Sequence, residues 1–138
     1  MTIKNTTEIR VRFNETDPLG IVWHGNYITY FEEGREAFGR SHGISYLEIQ
    51  KQGYATPIVE SNTSHKLPLK YGDVAKIETI FEDSPATKMI FNYKIYNPEG
   101  KIACTGRTVQ VFLDNNGDLV LSLPRFFEAW KKRVGLLK

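Results

Sequence analysis

The sequence predicts an α+β domain in which a curved antiparallel β-sheet of five to six strands wraps around one long central α-helix. Tyr27, Tyr30, Phe31, Gly34 and Phe38 fall three or four apart and oppose Glu32, Glu33, Glu36 and Arg40, the spacing of a helix with one apolar face. Much of the remaining chain alternates apolar and polar residues in runs divided by turn signals, the two-residue period of half-buried strands. An aromatic helix face needs a cover, and a sheet curved around it provides one. With 138 residues, a single domain over residues 1–138 removes roughly two-thirds of its unfolded surface from water.

Each element follows from local chemistry. Glu8 to Phe13 alternates Ile9, Val11 and Phe13 with Glu8, Arg10 and Arg12, which predicts the first strand. Asn14 to Gly25 contains Asp17-Pro18 and two glycines and reads as an ordered loop. Asn26 is a good N-cap residue, so the central helix should begin there and end at Ser41 to Gly43. Gly34 costs that helix on the order of 1 kcal/mol, which close approach of a sheet would explain. Tyr46 to Lys51 adds a short helix. Strands follow at Tyr54 to Leu67, which is long and polar, at Val74 to Glu82 with Ala75, Ile77, Thr79 and Phe81 inward, and at Met89 to Tyr96 and Ile102 to Asp114. Turns at Asn97-Pro98-Glu99-Gly100 and Asn115-Asn116-Gly117-Asp118 suggest an antiparallel meander, with Leu119 to Leu121 as a short last strand. Pro124 opens a terminal helix whose Lys131, Lys132 and Arg133 suit the negative end of its dipole. The polar Tyr54 to Leu67 edge is a candidate for pairing with a second copy, so a homodimer or homotetramer is expected.

Composition narrows the function. Eighteen basic residues face 16 acidic ones for a net charge of +2, too weak a field to gather a polyanion, and nucleic acid is not an expected partner. Single lysines in or beside the strands, Lys66, Lys70 and Lys88, are candidates for the phosphates of a small ligand, although each also reads as an ordinary solvated lysine. Cys104 is the one cysteine, so an internal disulfide is impossible, and its place in an alternating run marks it as a small buried hydrophobe. No apolar stretch is long enough to span a bilayer and the first residues do not resemble an export signal, so the expected location is the cytoplasm.

Two motif readings are set aside. Gly39-Arg40-Ser41-His42-Gly43 fits the GxSxG pattern of serine hydrolases, but it ends a helix instead of joining a strand to one, and Gly43 is better read as a helix cap. The three histidines, His24, His42 and His65, lack metal-ligand spacing, and the common nucleotide loops are missing, so no metal or organic cofactor is expected.

The remaining chemistry lies in Asp17, His24, Gly25, Asn26 and Tyr27, between the first strand and the helix. Singly, Asp17 sets a turn before Pro18 and His24 is a loop histidine. Jointly, a carboxylate seven residues before a histidine, across a turn with Gly20, faces the free N–H groups of a helix N-terminus. That pairing suits thioester hydrolysis: the N–H groups stabilise charge growing on the carbonyl oxygen, and Asp17 either attacks the carbon or activates water. A thiol of pKa about 8.5 leaves without a strong general acid.

The stretch Thr16-Asp17-Pro18-Leu19-Gly20-Ile21-Val22-Trp23-His24-Gly25-Asn26-Tyr27, continued through Phe31-Glu32-Glu33-Gly34-Arg35, resembles the signature of hotdog-fold acyl-CoA thioesterases of the 4-hydroxybenzoyl-CoA thioesterase type. Leu67 to Asp73 resembles that family's connection between strands. The resemblance implies a hotdog fold and hydrolysis of an acyl-CoA, or an acyl-carrier-protein thioester, to free acid and thiol. It also implies Asp17 as the catalytic carboxylate, Gly25 as the N–H donor to the carbonyl, and His24 as an assistant at the thioester. Related enzymes carry the carboxylate on the helix, where Glu32, Glu33 and Glu36 instead read as solvated surface or dimer contacts. Glu60, in the polar strand, is the reserve candidate at a dimer interface. Trp23 and Tyr27 are candidates for shaping the acyl pocket. The rival readings are a non-catalytic acyl-CoA binding module and a hotdog hydratase or dehydratase.

Overall fold

A computed structural model describes residues 2–138. Five antiparallel strands form one sheet: β1 (Lys4–Arg10), β2 (Ile58–His65), β3 (Val74–Glu82), β4 (Lys88–Tyr96) and β5 (Ile102–Val111), in the order β1-β3-β4-β5-β2. The long helix α1 (Asn26–His42) packs on β1, β3 and β4. A short α2 (Tyr46–Lys51) follows it, and α3 (Arg125–Arg133) closes one end.

The aromatic stripe of α1 is core, as its spacing predicts. Tyr27, Tyr30, Phe31 and Phe38 are all buried, and the Phe31 ring stacks on Tyr93 with centroids 4.5 Å apart. Gly34 and Gly106 let helix and sheet meet. A Cβ on Gly34 would lie 2.5 Å from Thr79 Oγ1, and the Phe31 ring occupies the space that a side chain on Gly106 would need. The inward set of β3, Ala75, Ile77, Thr79 and Phe81, is buried throughout. Gly43 ends α1 with φ of 72°, a left-handed cap, which disposes of the serine-hydrolase pattern.

Several boundaries differ from the sequence expectation. β1 runs over Lys4–Arg10 and not Glu8 to Phe13; Lys4 to Thr7 lacks apolar alternation, yet it pairs with β3 from Ile80 to Ile77. Phe13–Glu15 is instead a 3₁₀ turn. β2 is shorter than the polar run that announced it, and Leu119 makes only an isolated bridge to Leu113, so the short last strand is absent and the sheet has five strands. The sheet is not a simple meander either. Only β3, β4 and β5 are sequential neighbours, while β1 and β2, separated by α1, form opposite edges. The N-cap of α1 is Gly25, one residue before Asn26.

β2 is exposed at nearly every position, including Ile58 and Val59. Its pairing with β5 uses one side of its backbone only. Among the described residues no helix is long and apolar enough to cross a membrane.

Candidate active site

The loop from Thr16 to Gly25 is held by Glu15. This carboxylate is buried at the end of the 3₁₀ turn, where Oε1 accepts from the Arg12 N–H at 2.7 Å and from the Tyr30 hydroxyl at 3.0 Å. Burial, followed by the hydrogen bond to Glu15, pushes the Tyr30 phenol well above its ordinary value. The Glu15 carbonyl accepts from Trp23 N at 2.9 Å and from Asn26 Nδ2 at 2.8 Å, so both ends of the loop return to one residue. The Asn26 side chain is thus occupied in bracing the helix start.

Within the loop, Thr16 bridges Val22 and Ile21 bridges Lys70, while Val22 N donates to the Leu69 carbonyl at 2.8 Å. The loop is therefore sewn to the Leu67 to Asp73 connection. Asp17 forms the tip turn: Gly20 N donates to its carbonyl at 2.9 Å and Leu19 N donates to Oδ1 at 2.8 Å. Gly20, with φ of 78°, supplies the left-handed residue that this turn needs. Asp17 Oδ2 has no hydrogen-bond partner among the described residues, so half of the carboxylate remains unspent.

The start of α1 is equally open. Asn26 N donates to the Trp23 carbonyl and Tyr27 N makes a long 3.4 Å contact to His24, but the Gly25 N–H has no backbone acceptor among the described residues. The Trp23 ring, half exposed, covers Gly25 closely enough that a Cβ there would collide with it. His24 is exposed beside Trp23, with ring centroids 5.0 Å apart.

A pocket of about 250 Å³ adjoins this helix start, lined by His24, Tyr27, His65 and Lys66 among others. His65, which the sequence offered only as an isolated histidine, has its ring 5.1 Å from Tyr27 and 6.3 Å from His24. Its Nε2 lies 3.1 Å from Thr63 Oγ1, and Nδ1 faces the buried Cys104 Sγ at 4.0 Å. Burial pushes the Cys104 thiol up to about 11.

One end of the sheet thus gathers Trp23, His24, Gly25, Tyr27 and Lys66, with Asp17 and Lys70 on the adjoining loops. No hydrogen bond joins Asp17 to His24. Glu60 is exposed on β2 opposite Val109, and Lys88 opens β4 opposite Val111, at the far end of the strands from His65. Among the described residues no group of three His, Cys, Asp or Glu is placed to hold a metal ion.

The profile of the thioesterase-like superfamily matches residues 11–131, which contain the loop, the helix start and four of the five strands. The chain belongs to the thioesterase-like superfamily. One relative is YneP of Bacillus subtilis, a candidate acyl-CoA thioesterase, 36% identical over 123 residues that cover 89% of each chain. The 4-hydroxybenzoyl-CoA thioesterase of a Pseudomonas species is 26% identical over 120 residues, covering 82% of this chain and 85% of that one. Among solved structures, a DHNA-CoA thioesterase from Staphylococcus aureus superposes with a TM-score of 0.85 at 31% identity, over 96% of this chain and 92% of the other. The sheet and central helix are those of the hotdog fold, as the resemblance implied.

Proposed function

We propose that this superfamily member hydrolyses an acyl-CoA to the free carboxylic acid and CoA thiol, with Asp17 as the catalytic carboxylate. The chain is a thioester hydrolase by its relatives. The observation that carries the finer reading is an unspent carboxylate oxygen, Asp17 Oδ2, on a loop that closes onto a helix start whose Gly25 N–H is open.

The thioester carbonyl oxygen accepts from the Gly25 N–H. As the carbon is attacked, negative charge grows on that oxygen, where the N–H and the positive end of the α1 dipole stabilise it. Asp17 acts in one of two ways. Attack by its carboxylate forms an anhydride and expels the thiolate, after which water cleaves the anhydride and restores the carboxylate. Alternatively, Asp17 takes a proton from water as the water attacks directly. His24 stands beside the carbonyl, while Trp23 and Tyr27 flank the thioester. Lys66 and Lys70, on the adjoining connection, are placed for CoA phosphates. A carrier-protein thioester presents the same reacting bond.

The active form is a homodimer through β2. A strand exposed on both faces and paired on one side is a template for a second copy. An antiparallel β2–β2 pair brings the Ile58 end of one copy beside the His65 end of the other, placing the helix start of each against the outer strands of its partner. Glu60 would then line the shared face.

Assay of thiol release with Asp17→Asn tests the assignment. The variant should keep its oligomeric state and lose roughly a thousandfold or more in kcat. Near-normal turnover would remove Asp17 from the chemistry, and stoichiometric acyl-CoA binding without thiol release by the unmodified protein would make this a binding module.

A further inference from the structure

Large apolar side chains exposed one at a time are ordinary on a protein surface. One end of this molecule departs from that pattern. There the 3₁₀ turn, the Asp17 turn and the turn from Lys70 to Asp73 come together, and each presents one large apolar side chain at its tip. Phe13 is 76% exposed, Leu19 80% and Tyr71 62%. The Phe13 and Tyr71 rings meet edge to face with centroids 5.6 Å apart. Ile21 bridges Lys70 in antiparallel sense, so the step from Lys70 to Tyr71 runs beside the step from Ile21 back to Gly20, toward Leu19. The three tips share one patch.

The turns beneath them are firmly held. Asp73 N donates to the Lys70 carbonyl and Gly72 N to the Val11 carbonyl, each at 3.0 Å, and Gly20 and Gly72 supply the left-handed residues with φ of 78° and 84°. Apolar groups held outward on such turns add nothing to the core, and a contiguous exposed cluster of them marks a contact surface. The charges around it are unevenly committed. Asp17 Oδ1 accepts from Leu19 N at 2.8 Å and Asp73 Oδ2 from Lys70 N at 2.9 Å, so both acids are tied to their own turns. Glu8, the next acid along β1, lies opposite Lys76, and Arg12 is paired with Glu15 and Glu33. Arg10 and Lys70 are exposed, and neither joins an ion pair among the described residues; Arg10 reaches only the Gly72 carbonyl, at 3.4 Å.

We propose that this patch docks the protein on an anionic lipid surface, with Phe13, Leu19 and Tyr71 entering the headgroup region and Arg10 and Lys70 meeting lipid phosphates. The three tips offer on the order of 400 Å² of apolar side chain, about half of what each partner gives to a standard protein interface. Their shape also suits a soft surface, because projecting tips enter a headgroup layer without the matching groove that a second copy would have to supply. Shallow apolar insertion beside basic groups combines the two signals that hold a protein on a membrane without spanning it. Leu19 lies two residues from Asp17, so the docked protein carries its candidate site at the lipid surface, where long acyl thioesters collect. Lipid docking stands independently of the hydrolase reading.

The test is flotation of the whole protein with vesicles of phosphatidylcholine, alone or with one-quarter phosphatidylglycerol. Binding should favour the anionic vesicles and weaken as NaCl rises from about 0.05 to about 0.5 M. Leu19→Ser combined with Tyr71→Ser should lower the partition coefficient about tenfold or more, and Lys70→Gln should lower it on anionic vesicles only. Leu121→Ser, which changes a leucine 81% exposed beside Thr87 at the opposite end of the strands, should leave it within about twofold. Both side chains of the double variant are exposed, so a urea midpoint near that of wild type reports that it folds. No flotation with either vesicle would overturn the inference, as would binding that survives the double variant or falls equally in Leu121→Ser. A smaller particle for the double variant in sedimentation velocity would also overturn it, by making the patch an interface with a second copy. Flotation is read without turnover, so a protein that floats but releases no thiol sinks only the hydrolase reading, and an active one that does not float sinks only this one.

Discussion

The Tyr30 hydroxyl donates to Glu15 Oε1 at 3.0 Å, locking the second turn of α1 to the residue from which the Asp17 loop departs. Glu15 also receives the Arg12 N–H through its side chain and Trp23 and Asn26 through its carbonyl, so one buried residue sets the distance between the Asp17 turn and the helix start. Tyr30→Phe removes one partner and should cost about 1 kcal/mol in urea unfolding, whereas Glu15→Ala strands the buried Tyr30 hydroxyl and frees the Arg12 N–H, while keeping the carbonyl, and should cost about 1–3 kcal/mol. Thiol release should fall more steeply in Glu15→Ala than in Tyr30→Phe. An unfolding midpoint for Glu15→Ala equal to that of wild type would show that the brace bears no load.

Gly25 is confined by its neighbour and not by its backbone. Its φ of −66° and ψ of −23° suit any residue, but a Cβ would enter the Trp23 ring. Gly25→Ala retains the N–H yet forces the indole aside, and because Trp23 is half exposed the displacement should change stability by less than about 0.5 kcal/mol. The emission of Trp23 should shift while that of the buried Trp130 does not, and kcat/KM should drop by about tenfold or more. Unchanged emission and turnover would mean that the indole does not cover the reacting carbonyl.

What the sequence revealed depended on how local the deciding forces are. α1, α2 and β3 were legible to within a residue because their periodicity and caps are written in consecutive residues. β1 was misplaced because Lys4 to Thr7 owes its strand to pairing with β3, a partner some 70 residues away in sequence. The same holds at the candidate site. The proposed residues Asp17, His24 and Gly25 lie within one stretch of turn, imidazole and helix start, but His65 comes near them only through the pairing of β2 with β5, and Glu15 gives no signal at all in a charged, loop-bound run.

Gly34 illustrates a propensity cost accepted for packing. Alanine there would raise helix propensity by about 1 kcal/mol, but its Cβ would sit 2.5 Å from Thr79 Oγ1 and 2.8 Å from Ile77 Cγ2. Both residues are fully buried on β3, so helix and sheet must part to admit it. Overpacking of this kind costs about 1–3 kcal/mol and should outweigh the gain, so Gly34→Ala is expected to lower the urea midpoint. A higher midpoint would mean that α1 slides freely on the sheet.

Cys104 gives the protein an alkaline limit. Burial raises its thiol from 9.0 to about 11, so the folded protein keeps a proton that the unfolded chain releases first. Between those values the native state binds more protons than the unfolded state, and stability must fall as pH rises; the contribution is complete below pH 9.0 and is lost on passing through about 11. Urea unfolding across this window should show a shallower decline for Cys104→Ala than for wild type, even though the variant starts lower because of the small cavity it leaves. The tyrosines that also titrate in this range are common to both proteins and cancel in the comparison, except that the Cys104 charge adds to the upward push that burial gives the Tyr27 phenol. Parallel curves would show that the thiol reaches solvent readily, and brisk alkylation of the native protein by iodoacetamide near neutral pH would say the same.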